Sequence, residues 1–435
     1  MAGDDALERE IGRIGRELAG AMPGATRHPR KALDKKAMEL AARDGELRAA
    51  LFRFVDVVPA CRSLEDLAGH LVGFLGEVER PPPTIAAAIK LGDSKAGRAA
   101  LGATAAAGVK HLARRFIVGA TPADALPTLR ELWNRGSAAS VDLLGEATTT
   151  APEADRYAAR CADALEVLTA ASGARPLTQA NLSVKVSALT PLLRPEAPEL
   201  GKRDAAERLR ELLRRAREFG AHLHIDMESL DSREAVTQLT LELLADAEFR
   251  DGPSAGVVLQ AYLRDSPAQL DRILAWARTQ PRAPPLTVRL VKGAYWDHEV
   301  IESRSHGWPV PVFEDKAACD RNFEVLTRAL LDARPLVQVA IASHNLRSVA
   351  HAVAYDRLAG GAGQDLELQV LRGLGDDLGQ AIAARGLRAR IYCPVGDLVA
   401  GMAYLVRRLL ENTSNESFLH ERARGAALEE LLAAP

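Results

Sequence analysis

Two hydrophobic periods divide the chain. Up to about residue 125, apolar positions recur every three to four residues, the helical period, with no strand pattern. Residues 4–20 and 31–54 read as amphipathic helices. SLEDLAGHLVGFLGEVE (63–79) opens on a capping signal, Ser63 followed three residues later by Asp66. Pro81-Pro82-Pro83 reads as a break, an Ala-rich helix follows over 96–117, and TPADALPTL (121–129) is a second capped start.

Beyond about residue 140 the pattern changes to short apolar runs rich in Val, Ile and Leu. They are SVDLLGE (140–146), NLSVKVS (181–187), HLHIDM (222–227), GVVLQAY (256–262), LTVRLVKGAY (286–295), LVQVAIASHN (336–345), LELQVL (366–371) and LRARIYC (387–393). Helical stretches separate them: 151–170, 202–219, 231–249, 266–279, 314–333 and 348–359, with a last one over about 397–411. Eight strands alternating with helices predict an α/β protein of parallel (βα)8-barrel type, whose strands are covered on both sides. The predicted division is a helical arm with linking helices over 1–125 and a barrel over 126–435. A doubly wound open sheet is the alternative. It calls for a GxGxxG turn after an early strand, and the glycine cluster GGAG (360–363) instead precedes one.

Composition narrows the class. At 435 residues the chain has room for a barrel of roughly 250 residues and a further helical unit. A formal charge of −2 argues against a general nucleic-acid or anionic-membrane surface. The four cysteines, Cys61, Cys161, Cys319 and Cys393, lie far apart without a CxxC pair. They predict no disulfide framework and no metal site, and suit a reducing compartment. The charged amphipathic N-terminus is unlike a signal peptide, and no window approaches the roughly 18 apolar residues of a spanning helix. The expectation is a cytoplasmic protein.

In such a barrel, chemistry belongs at the carboxyl ends of the strands. There the pattern places Glu146, Lys185, Asp226, Gln260, Tyr262, Arg289, Lys292, Tyr295, Ser343, His344, Asn345 and Tyr392. Singly, each has an ordinary reading: Lys185 as half of an ion pair with Glu146 or Asp226, His344 as a satisfied core histidine. Together they are costly to bury without partners or a ligand. The cations Lys185, Arg289, Lys292, Arg407 and Arg408 point to an anionic ligand. In AYLVRRLLEN (403–412), Tyr404, Arg407, Arg408 and Glu411 share one helical face. That face reads either as a solvated stripe with an Arg407–Glu411 pair or as a clamp that binds a carboxylate bidentately beside an aromatic ring.

Several of these segments are similar to the motifs of the flavin-dependent proline dehydrogenase family, and occur in its order. They are DLLGEA (142–147), NLSVKVSAL (181–189), HIDMES (224–229), GVVLQAY (256–262), RLVKGAYWD (289–297), ASHN (342–345), RIYCPVGDL (390–398) and AYLVRRLLEN. The helical portion, through ALFRFVDVVPACRSLEDLAGHL (50–71), resembles the arm preceding the barrel in proline utilization A, the bifunctional member.

The resemblance implies a distorted (βα)8 barrel holding FAD, hydride transfer from L-proline to give 1-pyrroline-5-carboxylate, and electrons passed to a quinone. Position by position, it implies that Arg407, Arg408 and Lys185 hold the substrate carboxylate. Tyr392, Tyr404, Tyr295 and Leu371 wall the ring, and Asp226 and Glu146 orient that shell. Arg289 faces the cofactor, whose remaining contacts are Gln260, Lys292, Trp296, Ser343, His344 and Glu411. It makes Arg289, Lys185 and Asp226 the catalytic set, and implies selection of proline over hydroxyproline by the bulk of Tyr392.

One departure is Arg372 in LQVLRGLGDDL (368–378), where an aromatic or histidine is expected. The chain ends at Pro435, where a bifunctional enzyme would continue into an aldehyde dehydrogenase module. The expectation is a monofunctional enzyme or the catalytic part of a larger one, with that module or partner outside this chain, no nucleic-acid ligand, and at most peripheral contact with the inner face of the membrane. Two other classes remain on residue chemistry: a Schiff-base barrel enzyme using Lys185 or Lys292, and a non-catalytic barrel serving as a scaffold.

Overall fold

This computed structural model describes residues 2–23, 44–92, 94–145, 148–173, 176–363, 365–397, 401 and 425–435. Eight parallel strands close into a barrel in chain order: β1 (Ser137–Leu143), β2 (Asn181–Val184), β3 (His222–Ile225), β4 (Ser254–Gln260), β5 (Leu286–Val291), β6 (Val337–Ala342), β7 (Leu366–Leu371) and β8 (Arg388–Val395). Pairing of β8 with β1, Ser140 opposite Tyr392 and Asp142 opposite Pro394, seals the ring. The expected barrel is observed, and the open sheet is not.

The two faces of each strand differ in chemistry. Leu182, Val184, Leu223, Ile225, Val257, Leu259, Val288, Leu290, Leu368 and Val370 alternate along their strands and join the apolar core beneath the surrounding helices. The intervening positions point into the barrel and are largely polar: Ser140, Asp142, Ser183, His222, His224, Arg289, Gln369 and Arg390, all buried. The apolar strand runs therefore supply only the outer layer, while the lumen is a hydrogen-bonded interior.

On the side where the strands begin, Arg390 grips Glu367 through two hydrogen bonds of 2.7 and 2.8 Å and donates to the Ala139 carbonyl at 2.8 Å. Burial opposes ionisation of Glu367, but Arg390 together with Arg388 and Gln369 outweighs it and lowers the carboxyl to about 2. His222 hydrogen-bonds Ser254 (2.7 Å) and His224 (3.1 Å). Gly256 makes room for this pair, since a Cβ there would lie 2.4 Å from the His224 ring.

The helix Ala2–Ala21 lies on the outside of the barrel, with Ile11, Ile14 and Leu18 in the barrel's own core. Arg347 anchors it, donating to Glu8 at 2.7 and 2.8 Å, to Glu324 at 2.8 Å and to the Leu432 carbonyl at 2.8 Å. The helices Gly45–Val57, Leu64–Gly76, Pro83–Leu91 and Lys95–Phe116 enclose a second core around Phe54, Leu67, Leu71, Leu101 and Phe116. It meets the barrel near the end of β8: Val118 donates to the Pro394 carbonyl at 2.9 Å, and Arg115 to that of Gly373 at 3.0 Å. Gly373, at φ 84°, permits this approach, because a Cβ there would lie 2.6 Å from the Phe116 ring.

Both expected caps form. Ser63 accepts from the Asp66 amide at 3.1 Å, and Thr121 and Asp124 make a reciprocal capping box. Four α-helices among the described residues exceed the expectation, one of them the single turn Leu428–Leu431. Pro83 begins one because proline is tolerated at the first helical position, where its missing N–H has no intrahelical partner anyway. Trp296–His306 carries no clear apolar stripe, and Asp376–Ala384 spans only nine residues, so periodicity reveals neither.

Candidate active site

At the carboxyl ends of the strands the polar side chains converge. Lys185 follows β2, Asp226 follows β3, Gln260 ends β4, Lys292 follows β5, Ser343 and His344 follow β6, and Leu371 ends β7 opposite Tyr392 of β8. Arg289, within β5, crosses the lumen and donates to Asp226 Oδ1 at 2.7 Å. Its two terminal nitrogens each lie 3.3 Å from Ser183 Oγ. The other Asp226 oxygen accepts the Tyr392 hydroxyl at 2.6 Å, and the Arg289 guanidinium stands 5.5 Å from the Tyr392 ring centre. One carboxylate thus orients both a cation and a phenol.

Lys185 donates to Asp142 on the neighbouring strand, and both are buried. Asp142 was not among the expected site residues. Asp226 pairs with Arg289 and also feels the charge of Lys185, which donates to Asp142. The signal for Asp142 lies in the two-residue period: Ser140 and Asp142 are polar at alternate positions of an apolar strand, as are Ser183 and Lys185. Burial raises the pKa of Asp226 against the opposing pull of Arg289 and Lys185. Burial, reinforced by Asp142 and Asp226, drives that of Tyr392 well above its ordinary value, so the phenol stays protonated and donates.

Along β4 to β7 the groups form a second arc. Gln260 Nε2 donates to the Glu228 carbonyl at 2.8 Å, while its buried Oε1 has no partner among the described residues. Lys292 donates to Asp320, which Lys316 also reaches at 2.9 Å. Burial works against the Asp320 carboxylate, yet the two ammonium groups leave its pKa lowered. Trp296 is part-exposed and donates from Nε1 to the Phe313 carbonyl at 2.9 Å. Tyr295 precedes that helix and is half-buried. His344 accepts the Leu371 amide at Nε2 over 3.0 Å, which puts its ring proton on Nδ1. Ser343 Oγ accepts the Asn345 amide at 3.1 Å. Arg372, the departure from the expected pattern, donates its backbone N–H to the Tyr392 carbonyl at 3.0 Å and lies 3.5 Å from Asp376. Glu146, Tyr404, Arg407, Arg408 and Glu411 lie outside the described residues.

One feature of this arc suits a bound polar ligand. Gln260 Oε1 and Arg289 Nε are buried polar atoms lacking partners among the described residues, and a ligand's polar groups can satisfy them. Gly293, at φ 136°, lets the backbone run against the Tyr262 ring, where a Cβ would lie 2.4 Å from it.

The fold and the polar constellation at its carboxyl face define a (βα)8 barrel of the kind that carries active sites. The chain belongs to the proline dehydrogenase family, whose model, described as Proline dehydrogenase, matches residues 125–421. A second model, described as Proline utilization A N-terminal domain, matches residues 8–116. The bifunctional protein PutA of Klebsiella aerogenes is 33% identical over 339 residues, 75% of this chain and 25% of that protein. Proline dehydrogenase of Deinococcus radiodurans is 30% identical over 313 residues, covering 71% of this chain and 89% of that protein. The solved structure of proline utilization A from Bdellovibrio bacteriovorus, inactivated by N-propargylglycine, superposes with a TM-score of 0.86 at 32% identity over 99% of this chain and 44% of its own. This chain thus spans a quarter of the length of the bifunctional relative.

Proposed function

We propose that the chain catalyses the first step of proline catabolism, oxidation of L-proline to 1-pyrroline-5-carboxylate, with FAD as the hydride acceptor and a quinone as the final acceptor. The observation that carries this reading is the lumen network Arg289–Asp226–Tyr392 beside Lys185–Asp142, set in a barrel of this family. In this reading residues 1–125 are the arm and 126–435 the catalytic barrel. The aldehyde dehydrogenase module of the bifunctional relatives lies outside this chain, and quinone reduction brings the protein to the inner face of the membrane.

The residues that would hold FAD are Gln260, Lys292, Trp296, Ser343, His344 and Glu411, with Arg289 nearest its reactive end. When bound, FAD supplies a two-electron acceptor that the side chains of this protein lack. Proline loses a hydride from the ring methylene carbon beside nitrogen, not the carbon bearing the carboxylate, and a proton from nitrogen, leaving a cyclic imine. No strong acid or base is required if the amine arrives deprotonated. The work of the protein is to hold the donor carbon in a near-attack pose and exclude water.

Arg407, Arg408 and Lys185 would take the carboxylate; Tyr392, Tyr404, Tyr295 and Leu371 would wall the ring. Asp226 fixes the Tyr392 hydroxyl and the Arg289 guanidinium at once, so that neither must reorganise as charge moves. Glu146 would complete that orienting shell. The Schiff-base alternative suits the geometry less well, since Lys185 donates to Asp142 and Lys292 to Asp320 and neither is aimed as a free amine.

The test is anaerobic titration of the FAD-loaded protein with L-proline, followed by flavin absorbance. Bleaching in wild type, lost at the same concentrations in Arg408→Ala, supports reaction and clamp together. A flavin that stays oxidised under saturating proline overturns the substrate assignment. Failure to bind flavin overturns the cofactor.

A further inference from the structure

The helical arm brings a cysteine to an aspartate–histidine pair that helical spacing already places together. Cys61 ends the tight turn Val58–Ala60, and Asp66 and His70 lie one turn apart in the helix Leu64–Gly76 that follows. Their ligand atoms, the Cys61 sulfur, an Asp66 carboxylate oxygen and a His70 ring nitrogen, all lie within 4.8 Å of one another. His70 Nε2 stands 3.6 Å from Asp66 Oδ1. Around a tetrahedral zinc ion with bonds of about 2.0–2.3 Å, donor atoms are separated by roughly 3.3–3.7 Å. The His70–Asp66 pair already has that spacing, and the Cys61 sulfur lies within 4.8 Å of both.

The groups behind the three donors hold them in place. The second Asp66 oxygen accepts the Arg62 amide at 3.0 Å, which turns Oδ1 toward His70. The His70 ring stacks on Phe74 with centroids 6.1 Å apart, and the Arg53 guanidinium covers that Phe74 ring at 5.1 Å. Such outer contacts set the direction of ligating side chains in metal sites. Helix capping explains Asp66, and an i,i+4 pair explains His70. Neither explains a half-buried thiol directed at the same point, nor does the thiol's weak contact with the Val57 carbonyl at 3.5 Å.

We propose that Cys61, Asp66 and His70 form a three-ligand site for a thiophilic divalent cation of the zinc class, with solvent in the fourth position. A mixed sulfur, nitrogen and oxygen donor set of this kind suits zinc and its cobalt surrogate and not magnesium or calcium. Binding displaces the Cys61 proton to solvent and forms a metal–thiolate bond, with no change of oxidation state. Its structural effect is to staple the turn after the helix Gly45–Val57 to the first turns of the helix Leu64–Gly76. This fastens two helices of the arm and uses none of the residues proposed for the proline chemistry.

Cobalt(II) titration of the metal-free full-length chain tests the site. A thiolate-to-cobalt charge-transfer band should saturate at one equivalent and disappear on addition of zinc(II). Cys61→Ser should abolish the band. His70→Gln, which keeps the thiol, should weaken binding by more than about 100-fold, beyond the usual effect of losing an outer contact. Zinc should raise the melting temperature of wild type and not that of either variant, with proline-dependent flavin reduction unchanged in all three. Absence of the band in wild type, its persistence in Cys61→Ser, or wild-type affinity in His70→Gln would overturn the proposal. The last comparison holds even if Cys61→Ser fails to fold.

Discussion

Arg289 reaches across the barrel from β5 to Asp226 at the end of β3, donating over 2.7 Å, while the second oxygen of the same carboxylate accepts Tyr392 at 2.6 Å. Removing Asp226 therefore releases two groups at once. Asp226→Ala should leave the Arg289 charge buried without its partner and lower kcat/KM for proline by about 100-fold, equivalent to about 2.7 kcal/mol. Tyr392→Phe keeps the ring and the ion pair, and should lose only the share of one hydrogen bond, about 0.5–1.5 kcal/mol. Steady-state kinetics at saturating acceptor distinguish the two. Equal losses would mean that the carboxylate acts on Tyr392 alone.

Lys185 and Asp142 are buried together as an ion pair, so each single truncation removes a charge its buried partner was paired with. Lys185→Met and Asp142→Asn should each destabilise the fold, and the double variant by less than their sum. The expected coupling is about 1–3 kcal/mol. A urea-unfolding double-mutant cycle measures it. Additive losses would show that the two groups do not act as a pair. Proline KM should rise in both lysine variants, because only the carboxylate-binding role depends on the cation.

Buried histidines predict acid sensitivity. His222 titrates near 6.5 in the unfolded chain, whereas burial, assisted by the positive charge of Arg390, lowers it to about 3 in the fold. His351 is lowered to about 3 in the same way, by burial first and then by Arg328 and Arg347. Between those values the unfolded chain binds more protons. The stability these groups allow is complete above about 6.5 and drains as pH falls toward about 3. Each histidine contributes a slope of at most about 1.4 kcal/mol per pH unit. Urea midpoints measured from pH 7 to pH 5 should fall with pH, and less steeply in His222→Gln. An unchanged slope in that variant would contradict a neutral His222.

Arg347 joins the first helix, a barrel helix and the C-terminal segment through Glu8, Glu324 and the Leu432 carbonyl. Arg347→Met should cost about 3–5 kcal/mol, because Glu324 is left buried without its cation. It should also expose the helix Ala2–Ala21 to limited proteolysis. Arg347→Lys retains charge but loses the planar fork, and should fall between. Proteolytic resistance equal to wild type in Arg347→Met would show that the apolar face of Ile11, Ile14 and Leu18 holds the helix unaided.

The site was partly legible before the fold was known. Lys185, Asp226, Gln260, Arg289, Lys292 and Tyr392 interrupt apolar runs near strand ends, and the structure gathers them at one end of the barrel. The pairings were not legible. A two-residue period says that Asp142 and Lys185 face inward, but their contact depends on the register that sets Asp142 opposite Ser183. The Cys61–His70 approach is hidden for a similar reason, since it needs the turn at Val58–Ala60.

By itself the sequence determined the alternation of strand and helix, the caps at Ser63 and Thr121, and the segments that mark the family. These are local: each rests on the period of side-chain direction or on hydrogen bonds spanning three residues. Only the tertiary structure decided that the lumen is polar, that Asp226 serves both Arg289 and Tyr392, and that the first helix shares the barrel's core. Those features depend on which strands and helices become neighbours when the ring closes. Closure is a collective result of packing and pairing, and no single segment carries it.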